Sequence, residues 1–143
     1  SPEALGVAQF NAMKHGVRDR IEWLEGDLLS PLQARQATGT IDVIVSNPPY
    51  ISESDWAGLE PEVRVFEPRM ALVGGEQGTE FHERLLRESR EFLVPGGLLV
   101  MEIGAGQAVA VRQLAEQIGG YAALGIIEDA AGIERVVMAQ RVK

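Results

Sequence analysis

Four consecutive residues, Asn47-Pro48-Pro49-Tyr50, carry the groups best suited to chemistry in this chain. Each proline lacks an N–H and fixes its own φ, so a strand arriving here cannot continue and the carbonyls around it stay free. Asn47 offers a side-chain carbonyl as an acceptor and Pro48 a backbone carbonyl. Two acceptors can take both hydrogens of one –NH₂ group, while the flat face of Tyr50 stacks on the planar group that carries it. Such a grip answers a chemical problem, because an amide nitrogen is a poor nucleophile with its lone pair delocalised into the carbonyl. The two acceptors aim that nitrogen and favour the positive charge and pyramidal geometry that develop during attack. Holding the reactants in line supplies much of the rest. No strong general base is needed, since the proton can leave after the new bond has formed. The same residues also read as a strand-ending turn, or Pro-Pro-Tyr as a polyproline ligand. Their position favours a site, because they directly follow the apolar run Val43-Ile44-Val45.

The elements that must hold this tetrapeptide are legible on either side of it. Ile41-Asp42-Val43-Ile44-Val45 is β-branched and typical of a buried parallel strand, and open α/β sheets place ligands where such strands end. Ser1-Pro2-Glu3 reads as a helix opening, with Ser as N-cap, Pro at the first position and an acid in the first turn. Leu5, Ala8, Ala12 and Met13 follow at helical spacing until Gly16. A soluble domain rarely opens on a helix cap, which points to further residues upstream. Arg20-Ile21-Glu22-Trp23-Leu24 alternates as a strand would. Residues 28–40 read as a loop with room for one helical turn. A long irregular region runs from Ile51 to about Gly78, the kind of segment that serves as a lid or binding loop. Thr79 caps a helix through about Leu93 whose inner face is Phe81, Leu85, Leu86, Ser89 and Phe92 or Leu93. Pro95-Gly96-Gly97 breaks it, and Leu98–Ile103 is another buried strand. A helix from Gln107 to about Ile118 turns Val111, Leu114 and Ile118 inward. Tyr121–Glu128 and Glu134–Arg141 read as strands, and the link between them is too short for a crossover helix, so they form an antiparallel hairpin. The alternation predicts one α/β domain over residues 1–143, a doubly wound, mostly parallel sheet closed by an antiparallel hairpin strand.

Bulk properties narrow the function. The chain has 143 residues, 45% hydrophobic and 24% charged, an ordinary globular composition. Its formal net charge of −8 repels phosphate backbones and argues against direct nucleic-acid binding. No apolar run is long enough to span a bilayer, and the simplest compartment is the cytoplasm. The absence of cysteine, with only His15 and His82, argues against a metal site. Both histidines read as solvated helix residues, and Trp23 and Trp56 as packing. Arg64, Glu67 and Arg69 read mainly as charges that pin the long loop. Glu102 either faces the site or caps the next turn.

Asn/Asp-Pro-Pro-aromatic motifs occur across methyltransferases that modify exocyclic or amide nitrogens, and further segments narrow the likeness. Val63 to Leu72 followed by Gly74-Gly75 and Gly78, then Glu102-Ile103-Gly104 with Gln107, then Asp129, Gly132 and Glu134-Arg135-Val136-Val137, together resemble the HemK/PrmC family of release factor glutamine methyltransferases. Ser1 to Asn11 is similar to that family's helix after its ribose-binding acid. The resemblance covers essentially the whole chain and implies a partial Rossmann-like, S-adenosylmethionine-dependent methyltransferase fold. It implies that the small N-terminal helical domain, the first strand with its glycine-rich turn, and the second strand fall outside this sequence. Gly104-Ala105-Gly106 follows a different strand and is no substitute for that turn.

The implied reaction is methyl transfer from S-adenosylmethionine to the glutamine side chain in the Gly-Gly-Gln motif of peptide-chain release factors. Asn47, Pro48, Pro49 and Tyr50 would bind that glutamine, and Asn47, Pro48 and Tyr50 would be the catalytic set. Asp27 and Leu28 would lie beside the adenine, with Asn47 also close to the cofactor; for Asp27 a plain turn role stands equally open. Two other readings remain at this stage: a nucleic-acid amino methyltransferase, and an inactive fragment unable to bind cofactor.

Overall fold

The computed structural model describes residues 1–142, with only the backbone of Ala123 described. The chain forms two compact units, Ser1–Ala37 and the remainder. In the first, helix α1 (Pro2–Lys14) starts where its cap signals place it. The Ser1 hydroxyl accepts from the Ala4 N–H at 3.3 Å, and Glu3 and Lys14 sit at the ends that suit the helix dipole. The strand expected at Arg20–Leu24 is not formed. Arg18–Arg20 is a single 3₁₀ turn, and Ile21 is extended (φ −123°, ψ 126°) without a ladder partner. Alternation makes a segment able to be a strand, but only a neighbouring strand makes it one, and this unit contains none among the described residues. The expected helical turn is there as α2 (Ser30–Ala34), followed by an ion pair between Arg35 and Glu22.

The second unit is built on a four-stranded sheet of β1 (Ile41–Ser46), β4 (Leu93–Glu102), β5 (Tyr121–Glu128) and β6 (Glu134–Arg141), in the order β1-β4-β6-β5. β1 and β4 are parallel, with Val43 opposite Leu98 and Ser46 opposite Met101. β6 is antiparallel to both β4 and β5, so three strands run one way and β6 alone runs back. This is the mixed sheet expected from the alternation and the short final link. That link is tied by Asp129, whose carboxylate accepts from the N–H groups of Ala131 (2.8 Å) and Ile133 (3.1 Å) and pairs with Arg135. The backbone donors of Ile133 and Ala131, then Arg135, hold this carboxyl below its ordinary value.

Two expectations about strands need correction. β1 is an edge strand in this sheet, and only Ile44 among its central residues is buried; Val43 and Val45 are exposed. Successive side chains alternate between faces, and the face carrying the two valines is uncovered among the described residues. Likewise Pro95-Gly96-Gly97 does not precede the strand but lies within it. β4 pairs with β1 from Leu93 onward, and the ladder jumps from Ile41↔Leu93 to Val43↔Leu98, so the glycines are absorbed as a bulge.

Between β1 and the next long helix, the long region expected to be irregular is instead a series of short ordered elements. It contains β2 (Ile51–Ser52), α3 (Glu53–Trp56), α4 (Pro61–Phe66), α5 (Arg69–Leu72) and β3 (Val73–Gly75), with β2 and β3 paired in parallel. Then come α6 (Glu80–Phe92) and, after β4, α7 (Ala108–Ile118). Thr79 stands at the N-cap of α6 without a side-chain cap bond; the Glu80 carboxylate accepts the Gln77 N–H instead. Leu85, Leu86, Phe92, Leu93, Leu99, Met101, Ile103, Val111 and Val137 make the core. On α7 the fully buried positions are Ala108, Val111 and Ala115, while Leu114 and Ile118 are half-buried.

His82 is not solvated as expected but fully buried. It lies three and four residues before Leu85 and Leu86 and seven before Ser89, so helical geometry places it on the buried stripe. Its Nε2 lies 2.8 Å from the Glu102 carbonyl and must carry the proton, leaving Nδ1 buried without a partner among the described residues. Burial pushes this imidazole below its ordinary value of 6.5, against a smaller opposing effect of the Glu102 carbonyl. A histidine whose folded value is depressed stabilises the fold above its unfolded value, and that stability is lost as pH falls through the folded value. Unfolding free energy is therefore expected to decline below about pH 6.5. His82→Gln, which keeps a donor but cannot titrate, should flatten that decline in a series of denaturant melts.

Candidate active site

β1 and β4 end side by side, at Ser46 and Glu102, and the groups that follow converge at this carboxyl edge. Asn47, Pro48, Pro49 and Tyr50 line one cavity together with Ile51, Ala71 and Leu72, of about 120 Å³. That is roughly four water molecules by liquid volume, room enough for a carboxamide. Asn47 is exposed and no hydrogen bond engages its side chain among the described residues, whereas Pro48 is buried. Among the described residues, no turn, cap or side-chain hydrogen bond ends on the Pro48 carbonyl. The acceptor pair read from the sequence is therefore not consumed by the chain's own turn.

Tyr50 is fastened at both ends. Its hydroxyl donates to Glu102 Oε1 at 3.2 Å, and its carbonyl accepts from Gln107 Nε2 at 2.8 Å. Burial, reinforced by the neighbouring Glu102 carboxylate, pushes the phenol above its ordinary value, so it stays a neutral donor. Of the two roles open to Glu102, the side chain takes the one that faces the site. Gln107 also reaches the Gly78 carbonyl at 3.3 Å, while its own Oε1 accepts the Gly104 N–H at 2.8 Å. One side chain thus ties three segments that are distant in sequence. Space is made for this by glycine: a Cβ on Gly74 would come within 2.5 Å of the Pro49 carbonyl oxygen, and one on Gly104 within 3.1 Å of the Tyr50 ring.

The clamp was only partly visible in the sequence. A Gln three residues after a Gly can fold back onto that Gly's N–H, but its reach to Tyr50 and Gly78 depends on long-range packing. Gln107→Glu keeps the shape and the bond from Gly104, but turns a carboxylate oxygen toward two carbonyls. The loss of a part-buried donor facing two acceptors should cost about 2–3 kcal/mol at neutral pH. Part of that should return at acid pH, when the new carboxyl is protonated and can donate; thermal melts across pH measure both.

The remaining candidates are placed differently. Asp27 and Leu28 belong to the first unit, in the turn that leads into α2, where the Asp27 carbonyl accepts from Ser30 N–H and Leu28 has φ 47°. A left-handed leucine stores about 1 kcal/mol or more of strain, a mark seen at turns and at sites alike. Arg64 and Arg69 pin the segment after the cavity: Arg64 Nη1 donates to the Ala57 carbonyl at 3.0 Å, and Arg69 pairs with Glu53 and lies over the Trp56 ring. Glu67 is exposed, with no side-chain bond among the described residues.

No protein-family model matches the chain. It is 43% identical over 141 residues to the release factor glutamine methyltransferase of Moorella thermoacetica, which covers 99% of this chain and 48% of that protein. It is 44% identical over 138 residues to the release factor glutamine methyltransferase of Rhodopirellula baltica, covering 96% of this chain and 46% of that one. The chain thus spans about half the length of the curated relatives it matches. Among solved structures, a methyltransferase from Pyrococcus furiosus superposes with a TM-score of 0.63 at 18% identity, covering 100% of this chain and 60% of that one. That likeness carries the fold. No helix among the described residues is long and apolar enough to cross a membrane.

Proposed function

We propose, from the premise that this chain belongs to the release factor glutamine methyltransferase family, that the Asn47–Tyr50 corner binds and activates a glutamine side chain for N-methylation. The substrate is the glutamine of the Gly-Gly-Gln motif in peptide-chain release factors, and the compartment that goes with it is the cytoplasm. The carrying observation is the unengaged Asn47 carboxamide at a cavity whose other walls are Pro48, Pro49 and a doubly fastened Tyr50.

S-Adenosylmethionine supplies, when bound, an electrophilic methyl group on a sulfonium. The residues present fit it at the carboxyl edge of β1, where the exposed Asn47 side chain stands. The chain's own part is then as follows. Asn47 Oδ1 and the Pro48 carbonyl each accept one hydrogen of the substrate –NH₂, and the Tyr50 ring supports the amide plane. Held in this way, the nitrogen cannot turn its lone pair away from the methyl group. As the substrate nitrogen accepted the methyl group, positive charge would grow on it, and the two acceptors would stabilise it more than they stabilise the ground state. The surplus proton leaves after transfer, giving an N-methyl amide.

The experiment is to supply the full-length protein with a release factor and methyl-labelled S-adenosylmethionine, then map the label by peptide mass spectrometry. One methyl group on the motif's glutamine is the expected result. A label on nucleic acid, or on another residue of the release factor, would replace this reading.

A further inference from the structure

Three large apolar side chains stand in the open within one short stretch: Val65 is 72% exposed, Phe66 80% and Met70 75%. Scattered apolar residues on a surface need no explanation, but a group of this kind does. The two short helices α4 and α5 are exposed at every position from Arg64 to Phe66 and at Arg69 and Met70. The arginines of α4 and α5 are turned back onto their own chain, Arg64 to the Ala57 carbonyl and Arg69 to Glu53 and the Trp56 ring, while the apolar residues face outward. Exposed carboxylates at Glu60, Glu62 and Glu67 border the group. An apolar centre with a charged rim is the anatomy of a protein-docking face.

This face is continuous with the cavity. Ala71 and Leu72, which line it, directly follow Met70 on α5. Phe66 is five positions before Ala71, so the two are at most about 18 Å apart along the chain. A polypeptide whose glutamine enters the cavity therefore reaches Phe66 and Met70 with the few residues next to that glutamine. We propose that the α4–α5 face docks the protein substrate through apolar residues flanking the methylated glutamine, with basic neighbours set against Glu60, Glu62 and Glu67. The charge complement follows from the sign of the rim once both arginines are engaged. This inference rests on the function proposed above and names which surface selects the substrate.

The test compares two substrates, a whole release factor and a short glutamine peptide lacking the flanking residues, on the full-length protein and its Phe66→Ser/Met70→Ser variant. Removing two central apolar anchors should lower kcat/KM for the whole protein about tenfold or more, through KM, and should lower its advantage over the short peptide by the same factor. An unchanged advantage would overturn the proposal. So would a lowered melting temperature with equal losses on both substrates, which would mean that another part of the protein covers this face. Dissociation of an oligomer in the variant would assign the face to a second copy and overturn it too. If the unsubstituted protein methylates neither substrate, the proposed function itself fails, a result distinct from the others.

Discussion

Asn47→Ala should lower kcat for glutamine methylation by about a thousandfold while leaving the fold as stable as before. The two halves of that expectation have separate causes. Asn47 is exposed and its side chain makes no hydrogen bond to the rest of the described chain, so its removal should change stability by less than about 0.5 kcal/mol. What is lost is one of two acceptors for hydrogens that become more acidic as the nitrogen gains charge. An interaction that strengthens toward the transition state appears in kcat more than in KM. Steady-state rates of methyl transfer, measured beside thermal melts, separate the two. A drop confined to KM would reduce Asn47 to a binding contact, and a variant that melts early would show that the residue holds the turn.

Gly78→Ala should be the most damaging of the changes that touch no reacting atom. Gly78 has φ 80°, in the left-handed region, and a Cβ there would run into the Tyr50 carbonyl and lie 3.0 Å from Gln107 Nε2 and 3.1 Å from the Ser52 nitrogen. Two of those neighbours are backbone and cannot swing aside. The strain of a left-handed alanine, about 1 kcal/mol, adds to the cost of prising Tyr50 from its clamp, for about 3 kcal/mol or more in all. Gly106 provides the control, because it shares φ 80° but a Cβ there meets nothing within 4 Å. Gly106→Ala should therefore cost only about 1 kcal/mol. Denaturant unfolding of the two variants gives the difference directly. Methyl transfer by the Gly78 variant, measured where it remains folded, should still fall, because the same collision displaces the aromatic wall of the cavity.

What the sequence made legible follows from locality. The cap at Ser1, the final hairpin and the α6 stripe of Leu85, Leu86, Ser89 and Phe92 are written in neighbouring residues and appear where they were read, while Phe81, read onto that stripe, is only half-buried. The tetrapeptide was readable because proline removes donors wherever it stands, so free carbonyls could be inferred without coordinates. Three features escaped because they depend on distant partners. Arg20–Leu24 has a strand's alternation, but pairing decides whether a strand exists. His82 looked solvated because a lone polar residue in a charged helix usually is, yet its phase on the helix placed it beside Leu85, Leu86 and Ser89, under the Glu102 carbonyl. Gln107 showed its short reach to Gly104 but not the long one to Tyr50 and Gly78, which is the reach that shapes the cavity.

A crystal structure of the full-length protein with a glutamine peptide and S-adenosylhomocysteine measures the essential geometry. The account predicts the glutamine amide nitrogen within about 2.7–3.2 Å of both Asn47 Oδ1 and the Pro48 carbonyl oxygen, its plane against the Tyr50 ring. An amide bound elsewhere, or one presenting its oxygen to those two acceptors, would contradict it.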